Sequence, residues 1–311
     1  MSDLSRPLNT DMQIRQFFDA IDFLGYFSDV NNQKYAFPGM NNIGAMMGKA
    51  ISLIKEANNG LEKVLKYNTY ASSKNRSIPY KTSRERAKLH KVIIQELKET
   101  VRPINDEDIC LGTGGMLPRT GKVDCDKEAF VLIGLPAAGK SGVASKVSDY
   151  FNAVLLDSDF VKRKIPEYAR RNGASLVHKE SKVINDKIKA DAIKEGANIV
   201  LPIIGSDYED VLDIVYGLQG FGYHISLLLV ELDRVKSTQR AFSRFMNTGR
   251  YIPLSMILDV YSNNPSLVFY KILANQSLQD MPMALIDSDV PYGQKQKIIV
   301  ERNFPEIHNI I

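Results

Sequence analysis

The sequence predicts an α/β fold: a parallel sheet covered by helices on both faces, preceded by an all-helical N-terminal region. Three observations carry this. From about Glu128 short apolar runs alternate with helical segments, the pattern of parallel strands joined by crossover helices. The first of those runs enters a glycine-rich turn that leads into a helix. The first 125 or so residues look helical, ending in a turn-rich connector. The 311 residues accordingly divide into a helical region over 1–125 and an α/β domain over 126–311.

The helical region opens with DMQIRQFFDAIDFLGYF. Its Ile14, Phe17, Phe18, Ile21, Phe23 and Leu24 recur at mixed three- and four-residue spacing, with Asp11 as cap. A second segment carries Met46, Ile51, Ile54, Leu61 and Leu65 on one side, and Asn58 to Gly60 are placed to split it. A third, TSRERAKLHKVIIQELKETV, starts at Thr82 or Ser83 and repeats Leu89, Val92, Ile93 and Leu97. The turn-rich stretch up to Asp126 reads as a connector. In the α/β domain the predicted strands are AFVLIG, NAVLLDSD, NIVLPIIG, YHISLLLVEL and PMALIDSD. The helices between them are KSGVASKVSDYF, HKESKVINDKIKADAIKEG, YEDVLDIVYGLQGFG and DRVKSTQRAFSRFMNTG.

The bulk composition excludes several classes. With 44% hydrophobic and 24% charged residues the chain is an ordinary globular protein able to bury a core. A net charge of +4 does not advertise a nucleic-acid binder, although a local basic groove stays open. Cys110 and Cys125 form no disulfide framework and lack metal-site spacing. His90, His178, His224 and His308 are scattered, again without ligand spacing. No Sec-type leader and no membrane-length apolar window is present, so a cytoplasmic protein is expected, unless a specialised secretion system exports it.

Gly134-Leu-Pro-Ala-Ala-Gly139-Lys140-Ser141 satisfies the phosphate-loop pattern G-x-x-x-x-G-K-[ST] between an apolar strand and a helix. Gly134, Pro136, Ala137, Ala138, Gly139, Lys140, Ser141 and Gly142 are the residues expected around a triphosphate. Successive backbone N–H groups and the helix N-terminus point positive dipole at the anion. Lys140 reaches the β- and γ-phosphates of ATP, and the Ser141 hydroxyl ligates Mg²⁺.

The residues downstream of this loop indicate the fate of the terminal phosphate. An N-K-x-D guanine reader is absent, which argues against a GTPase switch, and Glu231 with Asp233 only weakly imitates the acidic strand end of a motor. A domain of about 185 residues has the proportions of a P-loop kinase. The second strand ends in Asp157 and Asp159 at the carboxyl edge of the sheet, where such sheets bind ligands. Asp159 is assigned as the base that accepts a hydroxyl proton, and Asp157 to outer-shell ligation of Mg²⁺. Late in the chain stand Arg234, Arg240, Arg244 and Arg250. Arg240 and Arg244 share a helix face, and Arg250 lies in a TGRY turn suited to a lid; cations there would meet the migrating charge of ATP.

The order GLPAAGKS, LLDSDFVKRKIPEY, a long helix, EGANIVLP and the arginine-bearing helix resembles the zeta-toxin family of P-loop kinases. It is also similar to related plant-pathogen avirulence effectors with a polynucleotide-kinase-like domain. The resemblance runs from Ala129 through the arginine segment, a little over a third of the chain, and its D-x-D-x-x-K string is more specific than the phosphate loop. Zeta toxins phosphorylate the 3′-hydroxyl of the sugar of UDP-N-acetylglucosamine, and the effectors that of the adenosine ribose of NAD. The resemblance implies Asp159 as base and Arg244 and Arg250, more closely spaced here, as ATP clamps. It implies Lys162, Asp186 and Gly205 on the acceptor side, Asp186 standing where the family has a glutamate. Pro202, Ile204 and Ser206 replace the Glu, Thr and Arg that contact the UDP-sugar, with only Gly205 kept. A pocket that loses those groups should reject that acceptor, which puts NAD or another dinucleotide slightly ahead.

The family also implies a protein partner, an antitoxin or a chaperone. Residues 1–125 are open to three roles: inhibition in cis, a wall of the acceptor pocket, or a packing extension. The basic runs VKRK and RKIPEYARR stand near the site and either steer a phosphorylated acceptor or form solvated faces. Two rival readings remain, a polynucleotide 5′-kinase and a non-catalytic nucleotide-binding regulator.

Overall fold

The computed structural model describes residues 67–311 apart from 171, 249 and 291–293, together with 52–54, 56 and 57. The predicted helix of Ile14 to Leu24 lies outside the described residues, as do Met46, Ile51, Leu61 and Leu65. Helical Ile54 and Ala57 are buried.

Helix α1 (Ser83–Glu99) starts where its capping signal predicts. Thr82 Oγ1 accepts from the Glu85 N–H at 3.3 Å and donates to Glu85 Oε2 at 2.8 Å. Its buried face is Arg86, Leu89, Ile93 and Leu97, whereas Val92 points out at 44% exposure. That face joins the same core as the sheet, together with Ile109 and Met116 from the predicted connector. The Met116 N–H donates to Leu97 O at 2.8 Å, and Met116 O accepts from Leu155 N at 3.0 Å, so the connector lies along the sheet edge.

The sheet contains β1 (Glu128–Ile133), β2 (Val154–Leu155), β3 (Ile199–Pro202), β4 (His224–Glu231), β5 (Met283–Asp287) and β6 (Lys297–Arg302) in the order β2-β3-β1-β4-β5-β6. The first five are parallel, and β6 runs antiparallel to β5. The central strands β1 and β4 are near-continuous apolar runs because both faces are covered. Helix α2 (Lys140–Tyr150) packs on β1, β2 and β3. Past α3 (Ser158–Lys164), α4 (Gly173–Leu176) and the long α5 (His178–Glu195), helix α6 (Tyr208–Gly220) lies against β4. Helix α7 (Arg234–Thr248) follows β4, α8 (Asn264–Leu273) packs on β4 and α6, and a short α9 (Ile307–Ile310) closes on α2.

Three elements differ from expectation. The second strand is only two residues long, because Asp157 already caps α3 by accepting from the Asp159 N–H at 2.8 Å. PMALIDSD is not the last strand: β6 follows it as an edge strand whose residues alternate between exposed and half-buried. Helix α8 begins at NPS, where Pro265 occupies the first turn without costing a hydrogen bond.

Three buried cations join residues 69–113 to the α/β layer. Arg86 donates to Glu180 Oε1 at 2.6 Å and to Glu167 Oε2 at 2.9 Å, while Glu180 also accepts from Thr69 Oγ1 at 2.5 Å and meets His90 Nε2 at 2.5 Å. Lys164 donates to Glu96 Oε2 at 2.7 Å and to the Cys110 and Thr113 carbonyls. Arg102 donates to Ser145 Oγ and Asp149 Oδ1, both at 2.5 Å. Arg86→Ala leaves two carboxylates buried with too few donors and should lower unfolding free energy by about 3–5 kcal/mol in urea titrations. Burial works against ionisation of Glu180, yet His90, Arg86 and Thr69 outweigh it and hold its pKa down at about 2. A depressed carboxylate stabilises only while ionised. Native stability should therefore fall as pH drops from about 4.5 to about 2, and this acid limb should shrink in Arg86→Ala.

Candidate active site

The phosphate loop follows β1 without a spare residue. Gly134 has φ +149°, and a Cβ there would come within 2.4 Å of Val230 O, so only glycine lets the chain leave the sheet at this point. Its N–H donates to Ile204 O at 3.0 Å, tying the loop to the segment after β3. That segment passes close by because Gly205 has φ +67° and stands where a Cβ would lie 2.4 Å from Ile133 Cγ2. Ala137, at φ +65°, takes the left-handed conformation that costs a non-glycine residue of order 1 kcal/mol, a strain typical of ligand-holding turns. The loop is braced from behind: Ser237 Oγ donates to Pro136 O at 2.5 Å, and Ser288 Oγ donates to Ala138 O. Arg240 donates to Ser288 Oγ at 3.3 Å and to Ser288 O at 3.1 Å, so it supports the loop through Ser288.

Helix α2 starts at Lys140, and Ser141 and Gly142 are exposed at its first turn. The Lys140 amine donates to Gly134 O at 2.7 Å and Leu135 O at 2.8 Å. Burial lowers its pKa to about 8, against the pull of Asp157 and Asp159. Asp159, in the first turn of α3, is gripped on both oxygens: Lys162 donates to Oδ1 at 2.8 Å, and Arg250 donates to Oδ2. Burial opposes its ionisation, but the two cations hold its carboxyl far below the ordinary range. Asp157 shifts the other way, raised to about 6 by burial and by the Asp159 charge. Arg244 lies near Arg250 and Asp159, and its buried Nε has no acceptor among the described residues.

The sequence-predicted residues thus fall into groups. Lys140, Asp157, Asp159, Lys162, Arg244 and Arg250 come together electrostatically. Arg240 and Gly205 stand beside the phosphate loop. Asp186 is exposed on α5 and has no hydrogen bond or ion pair to the others among the described residues. Arg234 is fully buried and donates to Leu258 O at 2.9 Å. Asp233, with a buried Oδ2, caps α7 through Val235 N at 2.8 Å, and Glu231 accepts from Ser266 Oγ at 3.0 Å. Sequence reasoning missed Ser288 and Ser237, since lone serines carry no motif. It also missed Glu107, whose charge acts on Arg244 and Arg250 from the predicted connector. Both cysteines are exposed free thiols. No group of three or more His, Cys, Asp or Glu with metal-holding geometry occurs among the described residues, and no helix there is long and apolar enough to cross a membrane.

A five-strand parallel core with a phosphate loop after β1, an acidic turn after β2 and arginines on the helix after β4 defines a P-loop phosphotransferase. The Zeta toxin family model matches residues 121–280, just over half of the chain. The chain belongs to that family and is a phosphotransferase of the kinase type. No curated protein matches its sequence. Among solved structures it is similar to a chain of the PezAT chromosomal toxin–antitoxin system of Streptococcus pneumoniae, at 16% identity over 58% of this chain and 72% of that one, TM-score 0.37. It is similar to the AvrRxo1-ORF1:AvrRxo1-ORF2 complex with sulphate ions, at 15% identity over 75% and 74%, TM-score 0.48. A gluconokinase from Sinorhizobium meliloti 1021 aligns at 14% identity over 54% and 86%, TM-score 0.31.

Ser288→Ala removes the brace on Ala138 O and one acceptor of Arg240. It should destabilise the fold by about 1–2 kcal/mol in thermal or urea unfolding and weaken ATP binding measured by calorimetry.

Proposed function

We propose that the chain transfers the γ-phosphoryl group of ATP to a sugar hydroxyl of a nucleotide-linked metabolite, with NAD slightly ahead of UDP-N-acetylglucosamine, as a toxin or effector. The observation that carries this is Asp159, an ionised carboxylate held by Lys162 and Arg250 and electrostatically coupled to the phosphate-loop lysine. The acceptor hydroxyl oxygen attacks the γ-phosphorus, its proton passes to Asp159, and ADP leaves with the bridging oxygen. Lys140 exchanges its two loop carbonyls for phosphate oxygens. Arg244, with an unsatisfied buried Nε, and Arg250 neutralise the charge of the migrating group. As Arg250 turns from Asp159 to phosphate, the carboxylate regains basicity.

The glycine cradle and the unsatisfied arginine fit a triphosphate, and the exposed Ser141 hydroxyl with the Asp157 carboxyl would hold Mg²⁺. That ion neutralises phosphate oxygens when bound. Preference for NAD rests on Pro202 at the end of β3 and on Ile204 and Ser206 beyond it, where groups able to hydrogen-bond a UDP-sugar are replaced. A protein partner of antitoxin type fits the family, and deleting residues 1–100 tests whether the chain's own N-terminal region inhibits it.

Incubation with γ-labelled ATP and a panel of NAD, UDP-N-acetylglucosamine and oligonucleotides should label NAD; labelled oligonucleotide 5′ ends would establish the polynucleotide kinase instead, and no labelled product would sink the proposal. Asp159→Asn should cut transfer by roughly 10²–10⁴-fold with ATP affinity changed only a few-fold; unchanged transfer removes Asp159 from the base role. Because the free Lys140 amine titrates near 8, kcat/KM for ATP should decline above pH about 8, while kcat declines only at higher pH, where bound phosphates keep the amine charged.

A further inference from the structure

Residues 74–91 carry seven Lys and Arg side chains and one carboxylate, whereas the whole chain has a net charge of only +4. Three of the seven are engaged. Arg86 is buried in its ion pairs, Arg76 donates to the Thr69 and Tyr70 carbonyls, and Lys74 lies over the Tyr67 ring at 4.4 Å. The other four, Lys81, Arg84, Lys88 and Lys91, are exposed, and their side chains make no hydrogen bond or ion pair among the described residues. Arg84, Lys88 and Lys91 are spaced four and three apart, so they share the face of α1 opposite buried Arg86, Leu89, Ile93 and Leu97. Lys81 stands just before the helix. The single carboxylate, Glu85, is taken up by the capping Thr82 Oγ1 at 2.8 Å.

An apolar tip immediately precedes this stripe. Ile78, 86% exposed, opens a single 3₁₀ turn, Ile78–Tyr80, in which Pro79 fixes the backbone. The turn is braced from within. The Ser77 N–H donates to buried Glu167 Oε1 at 2.6 Å, and Arg170 donates to Asn75 O at 2.7 Å and Ser77 Oγ at 2.9 Å. Tyr80 packs on the core. An isolated exposed isoleucine carries no message, but this one is held rigidly outward beside four unpaired cations. The face is also convex, being the outer side of a helix and a protruding turn. The cavity of about 330 Å³ lined by Leu53, Ala57, Tyr168 and Arg250 has none of these residues in its wall.

We infer that this face docks on an anionic membrane surface, with Ile78 seated among the headgroups and Lys81, Arg84, Lys88 and Lys91 lying over them. A lipid surface deforms around a convex tip and offers negative charge at any spacing, and both apolar burial and charge then add to binding. A folded protein partner would instead need a pocket shaped to receive the tip. This contact is peripheral, in keeping with the lack of a membrane-length apolar helix among the described residues. It does not depend on which acceptor the site phosphorylates.

The chain contains no tryptophan, so Ile78→Trp places a single indole at the tip. The full chain should co-sediment saturably with vesicles of equal parts phosphatidylcholine and phosphatidylserine, and added salt should release it. On those vesicles the indole emission should shift to the blue. Phosphatidylcholine vesicles should cause neither effect, and Tyr216→Trp, exposed on α6, should bind without a shift. Lys81→Gln, Arg84→Gln and Lys88→Gln should each weaken binding by roughly fivefold, and all three together by roughly 100-fold. Their circular dichroism should match the parent chain, since all three side chains are exposed. Absence of binding to the mixed vesicles at low salt, or equal binding to phosphatidylcholine alone, overturns the proposal. So does full binding by the triple variant or an unshifted indole on sedimented vesicles, either of which puts the contact elsewhere. Saturable binding of poly-uridylate or of an acidic protein through the same stripe, with vesicles left unbound, reassigns the face and overturns membrane docking.

Discussion

The buried charge of Arg86 is the constraint on which much of this architecture depends. A guanidinium removed from water needs hydrogen-bond acceptors and opposite charge around it, and Glu167 and Glu180 supply both from two different segments of the α/β layer. Once the three are closed together, α1 cannot shift without stranding a charge. The same holds for Lys164, whose amine is enclosed by Glu96 and two carbonyls, and for Arg102 against the first helix after the phosphate loop. Hydrophobic contact from Leu89, Ile93 and Leu97 supplies the non-directional share of this docking. The ionic contacts supply its register.

This docking reaches the chemistry by short steps. Glu167, held by Arg86, adjoins Tyr168, and Tyr168 interacts electrostatically with Arg244 and Arg250. Glu107, from the segment that Arg102 anchors, contributes a charge to the same arginines. Asp159 then stands at the meeting point of opposed demands. Its two cations keep it ionised. Asp157, two residues away, carries the opposite shift because it is buried beside that charge without a cation bonded to it. The two neighbouring carboxylates are thereby set apart in their affinity for protons.

Much of the architecture is legible in the order of residues. The phosphate loop, the D-x-D turn and the amphipathic helices are written within a few residues, since their geometry is set by local backbone conformation, helix period and capping. Thr82 illustrates this: a cap and a glutamate three residues on suffice to start α1. The short β2 was misjudged because NAVLLDSD has strand composition throughout, whereas the Asp157 side chain finds a better partner in the turn of α3. The edge strand β6 lacked the continuous apolar run of its neighbours, because one of its faces meets solvent.

By itself the sequence determined that a phosphate loop follows the first strand, that an aspartate and arginines gather at one sheet edge, and that a parallel sheet carries them. Those properties depend on spacing between near neighbours and on a repeated strand–helix alternation. The tertiary structure decided which cation each carboxylate meets, and that Arg240 braces the loop through Ser288. It also decided that the connector lies on the sheet and that Leu53 and Ala57 line a cavity together with Arg250. Those contacts join groups as far as 150 residues apart, as between Ser288 and Ala138. No local pattern encodes them, because a buried ion pair is selected by which charges the packed core leaves without water.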